Sequence, residues 1–249
     1  MKLLKILLFI ILSAIAIIFT FLLLLLIFTS ICSLFVKNKT YEKDSKFYRC
    51  LFNLWTWIVI KIMRIKVETK GLEKMPKNGK LLFVGNHKSN FDPIITWSVF
   101  KKYNVSYLSK GTNFKIPIFG KIVKRCCFLE IDRENSRNAI RTIITASELI
   151  KKQELSIGVY PEGTRNKTKD ILLPFHNGVF KIAQKANCPI VVICVKGTSK
   201  IHRNYPLKKS IVELTVVDVI EKNDVIALSS HEIGDRVKNK LLESLKMEV

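Results

Sequence analysis

Apolar and polar positions divide the chain into an apolar head and an alternating body. Ile6 to Val36 carries no charged side chain. As a helix this run measures roughly 46 Å against about 30 Å of bilayer hydrocarbon, enough for one tilted span and too short for two. A cleaved signal peptide competes with that reading. Lys2 and Lys5 precede the run, and Ser13-Ala14-Ile15-Ala16 has the look of a weak cleavage site. Signal-peptide apolar regions, however, extend over only about 7–15 residues, and this one continues well beyond. The reading adopted is a retained membrane anchor over residues 1–36. Next, Leu51, Leu54, Trp55, Ile58, Val59, Ile62 and Met63 recur at helical spacing. With Trp57, Lys61, Arg64 and Lys66 they suit a helix at a membrane interface, and they suit a core helix equally. Residues 37–70 are therefore read as a basic, helical juxtamembrane segment.

Met75-Pro76-Lys77-Asn78-Gly79 is a turn-rich link into a third region, residues 71–249. There the pattern alternates. Strands are predicted over Leu81 to Val84, Val105 to Leu108, Phe128 to Ile131, Ile157 to Tyr160, Ile190 to Val195 and Ile211 to Ile220. Between them lie helical patterns. One starts at Pro93 behind an Asp92 cap. One opens at Ile116 to Gly120. One carries Ala139, Ile140, Ile143, Ile144, Ser147 and Ile150 on a stripe, and one covers Val179 to Ala186. Ser229 and Glu232 have the spacing of a capping box for a last amphipathic helix. This alternation predicts an α/β domain with a mixed, largely parallel sheet flanked by helices, preceded by the anchoring helix.

Charge narrows the choice of partners. Lysine and arginine number 42 against 20 acidic residues, a formal net charge of +22. Such a balance calls for an anionic partner. Neither zinc-finger spacing nor an RNP-type aromatic sequence occurs, so nucleic acid is not expected. Six cysteines sit mostly in apolar runs, which reads as reduced thiols rather than a disulfide framework. Cys126-Cys127 lacks a matching Cys/His pair, so no metal is expected. The positive excess follows the anchor (Lys37, Lys39, Lys43, Lys46, Arg49), which places the body of the protein on the cytoplasmic face.

Two short segments carry the candidate chemistry. Asn86-His87-Lys88-Ser89-Asn90-Phe91-Asp92 follows the first predicted strand of the body. An imidazole can take a proton from a hydroxyl nucleophile, and a carboxylate on its other nitrogen fixes the tautomer. Positions five apart on an ideal helix diverge by roughly 140°, so His87 and Asp92 meet only if the segment between them is not plain helix. The bland alternative is a helix cap and a turn histidine. Tyr160-Pro161-Glu162-Gly163-Thr164-Arg165 also follows a strand. Its arginine can hold a phosphate bidentately and its glutamate can accept from a substrate hydroxyl, though a charged β-turn has the same composition.

Together these blocks resemble the glycerolipid acyltransferases of the 1-acyl-sn-glycerol-3-phosphate (lysophosphatidic acid) type. Asn86-His87 to Asp92 matches that family's NHxxxxD motif, and Tyr160 to Arg165 its FPEGTR motif with Tyr for Phe. Lys110, Phe114, Pro117 and Gly120 match a second block, and Arg133 matches an arginine ending the following strand. Phe175, Gly178 and Cys188-Pro189-Ile190-Val191-Val192 match later elements, so the resemblance spans Leu72 to Lys200. Departures are Thr112-Asn113, Asn166 and His176. The resemblance implies a catalytic domain over 71–249 with His87 as general base and Asp92 orienting it. It implies substrate-binding roles for Asn86, Lys110, Arg133, Glu162, Gly163, Thr164 and Arg165. Implied partners are acyl-CoA or acyl-carrier protein, lysophosphatidic acid and membrane phospholipids, with no cofactor. The runner-up is a relative acting on another lysophospholipid or polar acceptor. A rival of another class is a membrane-tethered protein that only binds anionic lipid.

Overall fold

The computed structural model describes residues 1–132 and 134–246. Seven strands form one sheet: β1 (Ile65–Lys70), β2 (Leu82–Gly85), β3 (Val105–Ser109), β4 (Leu129–Glu130), β5 (Ser156–Val159), β6 (Ile190–Lys196) and β7 (Ser210–Ile220). Their order is β1-β7-β6-β2-β5-β3-β4. Every neighbouring pair is parallel except β6 with β7. The sheet is therefore mixed and largely parallel, as the alternation predicts.

Nine α-helices are described: α1 (Lys2–Leu34), α2 (Lys46–Ile62), α3 (Phe91–Val99), α4 (Phe119–Arg125), α5 (Ser136–Lys151), α6 (Lys181–Ala186), α7 (Ile201–Asn204), α8 (Lys222–Ala227) and α9 (Ser230–Lys246). They cover both faces of the sheet. Side chains alternate across β2 with the period of two. Leu82 and Val84 pack beneath α5, α6 and α9 with Leu149, Ile182 and Val237. Phe83 points the other way, against Ile95 and Trp97 of α3. All four residues of β2 are buried, which explains an apolar run without alternation at the sheet centre. Burying one such side chain contributes about 1.5–3 kcal/mol.

Helix α1 has a mean hydropathy of 3.2 over its most apolar window, none of it buried, and among the described residues it is the one helix long and apolar enough to cross a membrane. Its last turns alone are covered. Thr29 and Ser33 are buried there, and α2 meets the helix end: Trp55 Nε1 donates to Thr29 Oγ1 at 2.9 Å and Tyr48 donates its hydroxyl to Cys32 O at 2.9 Å. Helix α2 has one face against the domain and one face open. Leu51 and Ile58 are buried against the domain, while Trp57 and Ile62 are about half exposed.

Three features differ from the sequence reading. The segment 37–70 is not helical throughout: α2 ends at Ile62, and Ile65–Lys70 is an edge strand pairing with β7 from Ile65↔Ser210 to Lys70↔Thr215. Ile65, Val67 and Thr69 carry a period-two signal that the preceding helical pattern overran. Helix α3 starts at Phe91 with Asn90 as its cap residue, so Asp92 is not the cap but lies in the first turn. Helices α7 and α8 fall outside the predicted patterns, since four and six residues give too little periodicity to read.

Candidate active site

Strands β2, β5, β3, β4 and β6 run in the same direction, so the segments after their last residues gather at one edge of the sheet. β2 lies between β5 and β6, where the chain's path reverses across the sheet, and such switch points form crevices. His87 follows β2, Lys110 follows β3, and the 160–165 loop follows β5.

The chain between His87 and Asp92 is a turn leading into α3, which lets the two side chains meet. His87 Nδ1 lies 2.9 Å from Asp92 Oδ2. That carboxylate is fully buried and fully engaged. Oδ2 also accepts from the backbone N–H of Lys88 and of Ser89, each at 2.7 Å, and Oδ1 accepts from Thr198 Oγ1 at 2.6 Å. This cradle fixes the carboxylate in place against the imidazole. His87 is partly exposed, with Nε2 as its remaining ring nitrogen.

The imidazole has a second neighbour. Tyr160 stacks on it at 4.3 Å between ring centroids and 17° between planes, and Tyr107 stacks in turn on Tyr160 at 6.1 Å and 5°. Thr96 Oγ1 bridges the two phenols, 2.6 Å from Tyr107 Oη and 3.2 Å from Tyr160 Oη. Burial pushes the Tyr160 phenol well above the usual tyrosine range, with Tyr107 and Asp92 adding to the shift. Tyr160 therefore stays neutral and packs as a flat wall. Gly158 makes room for the wall: a Cβ there would lie 2.3 Å from Tyr107 Cε1.

Two of the sequence candidates are placed otherwise than as substrate ligands. Glu162 is only 2% exposed. Its Oε1 accepts from the backbone N–H of His87 at 2.7 Å, and its Oε2 from that of Leu173 at 2.9 Å. It braces the histidine turn from behind, because two backbone N–H groups at the loop base need an acceptor. Asn86 is fully buried and pairs with the backbone of Val195 through both ends of its amide, Nδ2 to O at 2.9 Å and Oδ1 from N at 2.8 Å. It extends the β2–β6 pairing by one side chain. The two motifs are thus locked together, since Asn166 N also donates to His87 O at 2.7 Å.

His87, Lys110, Gly163, Thr164 and Arg165 line one cavity of about 560 Å³, a size usual for small-ligand sites. His176 joins Lys110 and Arg165 on its lining. Apolar side chains, among them Ile116, Val123, Phe128 and Val179, line the rest. Among the described residues neither Lys110 nor Arg165 has a carboxylate partner, leaving both cations available to the cavity. Arg133 lies outside the described residues. Gly120 lets the cavity wall close tightly, because a Cβ there would meet Phe114 O at 2.4 Å. Among the described residues no group of His, Cys, Asp or Glu is arranged to hold a metal. Sequence reasoning missed Thr198, Thr96 and Tyr107. Only the Gly197-Thr198 pair ending β6 left a trace, as a turn signal.

The sequence pattern of the acyltransferase family matches residues 66–196. A 1-acyl-sn-glycerol-3-phosphate acyltransferase of Salmonella typhimurium is 34% identical over 173 residues, 67% of this chain and 69% of that one. A chloroplastic enzyme of the same name from Brassica napus is 30% identical over 203 residues, 81% of this chain and 57% of its own length. The crystal structure of the 1-acyl-sn-glycerophosphate (LPA) acyltransferase PlsC from Thermotoga maritima shares the fold with a TM-score of 0.65, at 19% identity, over 88% of this chain and 86% of that one. With the family's pattern covering residues 66–196, more than half of the sequence, the chain belongs to the acyltransferase family.

Proposed function

We infer that the enzyme transfers a fatty acyl group from an acyl thioester, acyl-CoA or acyl-carrier protein, to the free sn-2 hydroxyl of 1-acyl-sn-glycerol 3-phosphate, giving phosphatidic acid. The observation that carries this reading is the His87–Asp92 pair at 2.9 Å opening on a cavity that is cationic at Lys110 and Arg165 and apolar elsewhere. An acceptor with one phosphate, one free hydroxyl and an alkyl chain matches those three properties.

In this mechanism the unprotonated Nε2 of His87 takes the proton of the acceptor hydroxyl as its oxygen attacks the thioester carbonyl carbon. Asp92 keeps the proton on Nδ1 and stabilises the imidazolium that forms. Collapse of the tetrahedral intermediate breaks the C–S bond, and the proton leaves with the thiol. Lys110 and Arg165 hold the phosphate, with Arg165 suited to bidentate contact. Gly163 and Thr164 shape the loop that presents Arg165. The apolar lining receives an alkyl chain. Glu162 and Asn86 serve by positioning the turn.

Helix α1 keeps the enzyme in the bilayer that holds its lipid acceptor and product, with membrane phospholipids as its surroundings. The excess of basic residues after the anchor supports a domain on the cytoplasmic face. The test is acyl transfer by the purified full chain to lysophosphatidate, lysophosphatidylcholine and glycerol 3-phosphate, from acyl-CoA and from acyl-carrier protein. Preference for lysophosphatidate supports the reading. Preference for another lysolipid reassigns the acceptor, and failure on every pair contradicts catalysis.

A further inference from the structure

A second cavity, of about 410 Å³, lies where the anchor ends. Most of its walls come from three places. Val36, Lys37 and Asn38 follow α1 directly; Phe114 and Lys115 end the short 3-10 turn after β3; Lys121 and Lys124 come from α4. Glu130 is the one carboxylate among the lining residues, so four lysines face it with a net charge of three positive. Lys124 is already placed: its Nζ donates to Asn38 Oδ1 and lies 5.5 Å from the Phe114 ring centroid. Among the described residues none of the four lysines is ion-paired. Gathering four like charges around a hollow raises their mutual repulsion, and a bound polyanion would relieve it.

The position selects the kind of anion. The exposed apolar side chains of α1 continue to Phe35, itself 77% exposed, and the lysines begin two residues later. With α1 in a bilayer, the cavity falls at the depth of the lipid headgroups. Val36 and Phe114 give it an apolar margin suited to the glycerol end of a lipid. We propose that this cavity binds the phosphate headgroup of an anionic membrane phospholipid as a second lipid site, separate from the acceptor site at His87. The proposal rests on reading α1 as membrane-embedded.

The site also touches the catalytic cavity. The 3-10 turn Gly111–Lys115 gives Thr112 and Asn113 to the first cavity and Gly111, Phe114 and Lys115 to the second. A headgroup held against one side of the turn therefore steadies the wall that follows Lys110.

The test uses the detergent-purified full chain, with lysophosphatidate in excess to fill the first cavity. Native mass spectrometry then compares retained phosphatidylglycerol with phosphatidylcholine. The wild type is expected to prefer phosphatidylglycerol, and the triple variant Lys37→Gln/Lys115→Gln/Lys121→Gln to lose that preference by roughly ten-fold or more. A variant with the same charge change on distant helices, Lys185→Gln/Lys238→Gln/Lys246→Gln, should keep it. Equal preference in wild type and the first triple variant overturns the proposal. So does displacement of phosphatidylglycerol by an equal concentration of inorganic phosphate, which would mark a free-anion site. Resistance of the wild type to carbonate extraction from membranes tests the anchor separately. Extraction there removes the membrane reading whatever the lipid result.

Discussion

At the scale of single residues, one carboxylate organises the site. Asp92 accepts from Lys88 N, Ser89 N and Thr198 Oγ1 while facing His87 Nδ1. Asp92→Asn replaces the anion beside the imidazole with an amide and should lower kcat by about 10²–10⁴-fold. Thr198→Val removes one neutral partner and should cost about 1 kcal/mol of stability, read from urea unfolding, with a smaller fall in kcat. Glu162 and Arg165 separate by kinetics. Glu162→Gln weakens the brace behind His87, so kcat should fall while KM for lysophosphatidate holds. Arg165→Ala should raise that KM by about ten-fold or more, the worth of a charge-assisted phosphate contact. A KM rise for Glu162→Gln would return that residue to substrate binding. The dyad was readable because the residue types and their spacing state the chemistry. The buried role of Glu162 was not, because a carboxylate in a polar loop carries no mark of which way it faces.

At the scale of elements, the site depends on how closely strands and loops approach. Gly158 in β5 leaves the space in which Tyr107 lies against Tyr160 and His87. Gly158→Ala should push that stack outward, with a loss of about 1–3 kcal/mol in thermal or urea unfolding and reduced kcat. Arg49 joins α2 to the sheet. Its Nε donates to Asp44 at 2.5 Å, its Nη1 to Val105 O at 3.0 Å, and its guanidinium lies over Trp97. Arg49→Ala leaves Asp44 without its cation in a nearly enclosed position and should destabilise the domain by about 3–5 kcal/mol. Strands β2, β5 and β6 and helices α5 and α9 were legible, because long or fully apolar patterns dominate their segments. Strand β1 was obscured by a helix that runs into it, and its pairing with β7 spans most of the chain. No local pattern announces such a partner.

At the scale of the whole molecule, buried thiols set an alkaline limit. Burial pushes Cys127 and Cys188 up to about 12 and Cys126 higher still. An acid whose folded value is raised stabilises the fold fully below its unfolded value, here near 9.0, and loses that contribution as pH rises toward the folded one. Each thiol therefore removes about 1.4 kcal/mol per pH unit above that point. The urea midpoint should fall steeply from about pH 9 to 11. Under native conditions a thiol reagent should modify exposed Cys50 first, with Cys126, Cys127 and Cys188 protected until unfolding.

The proposed chemistry stands on His87, held by Asp92, as the base for acyl transfer to a membrane lipid. The most direct measurement is acyl transfer to lysophosphatidate by wild type and His87→Ala, reconstituted side by side in vesicles and matched for folding by urea unfolding. In His87→Ala kcat should fall by at least about 10³-fold with the unfolding midpoint little changed. Activity retained within ten-fold of wild type in the folded variant would contradict it.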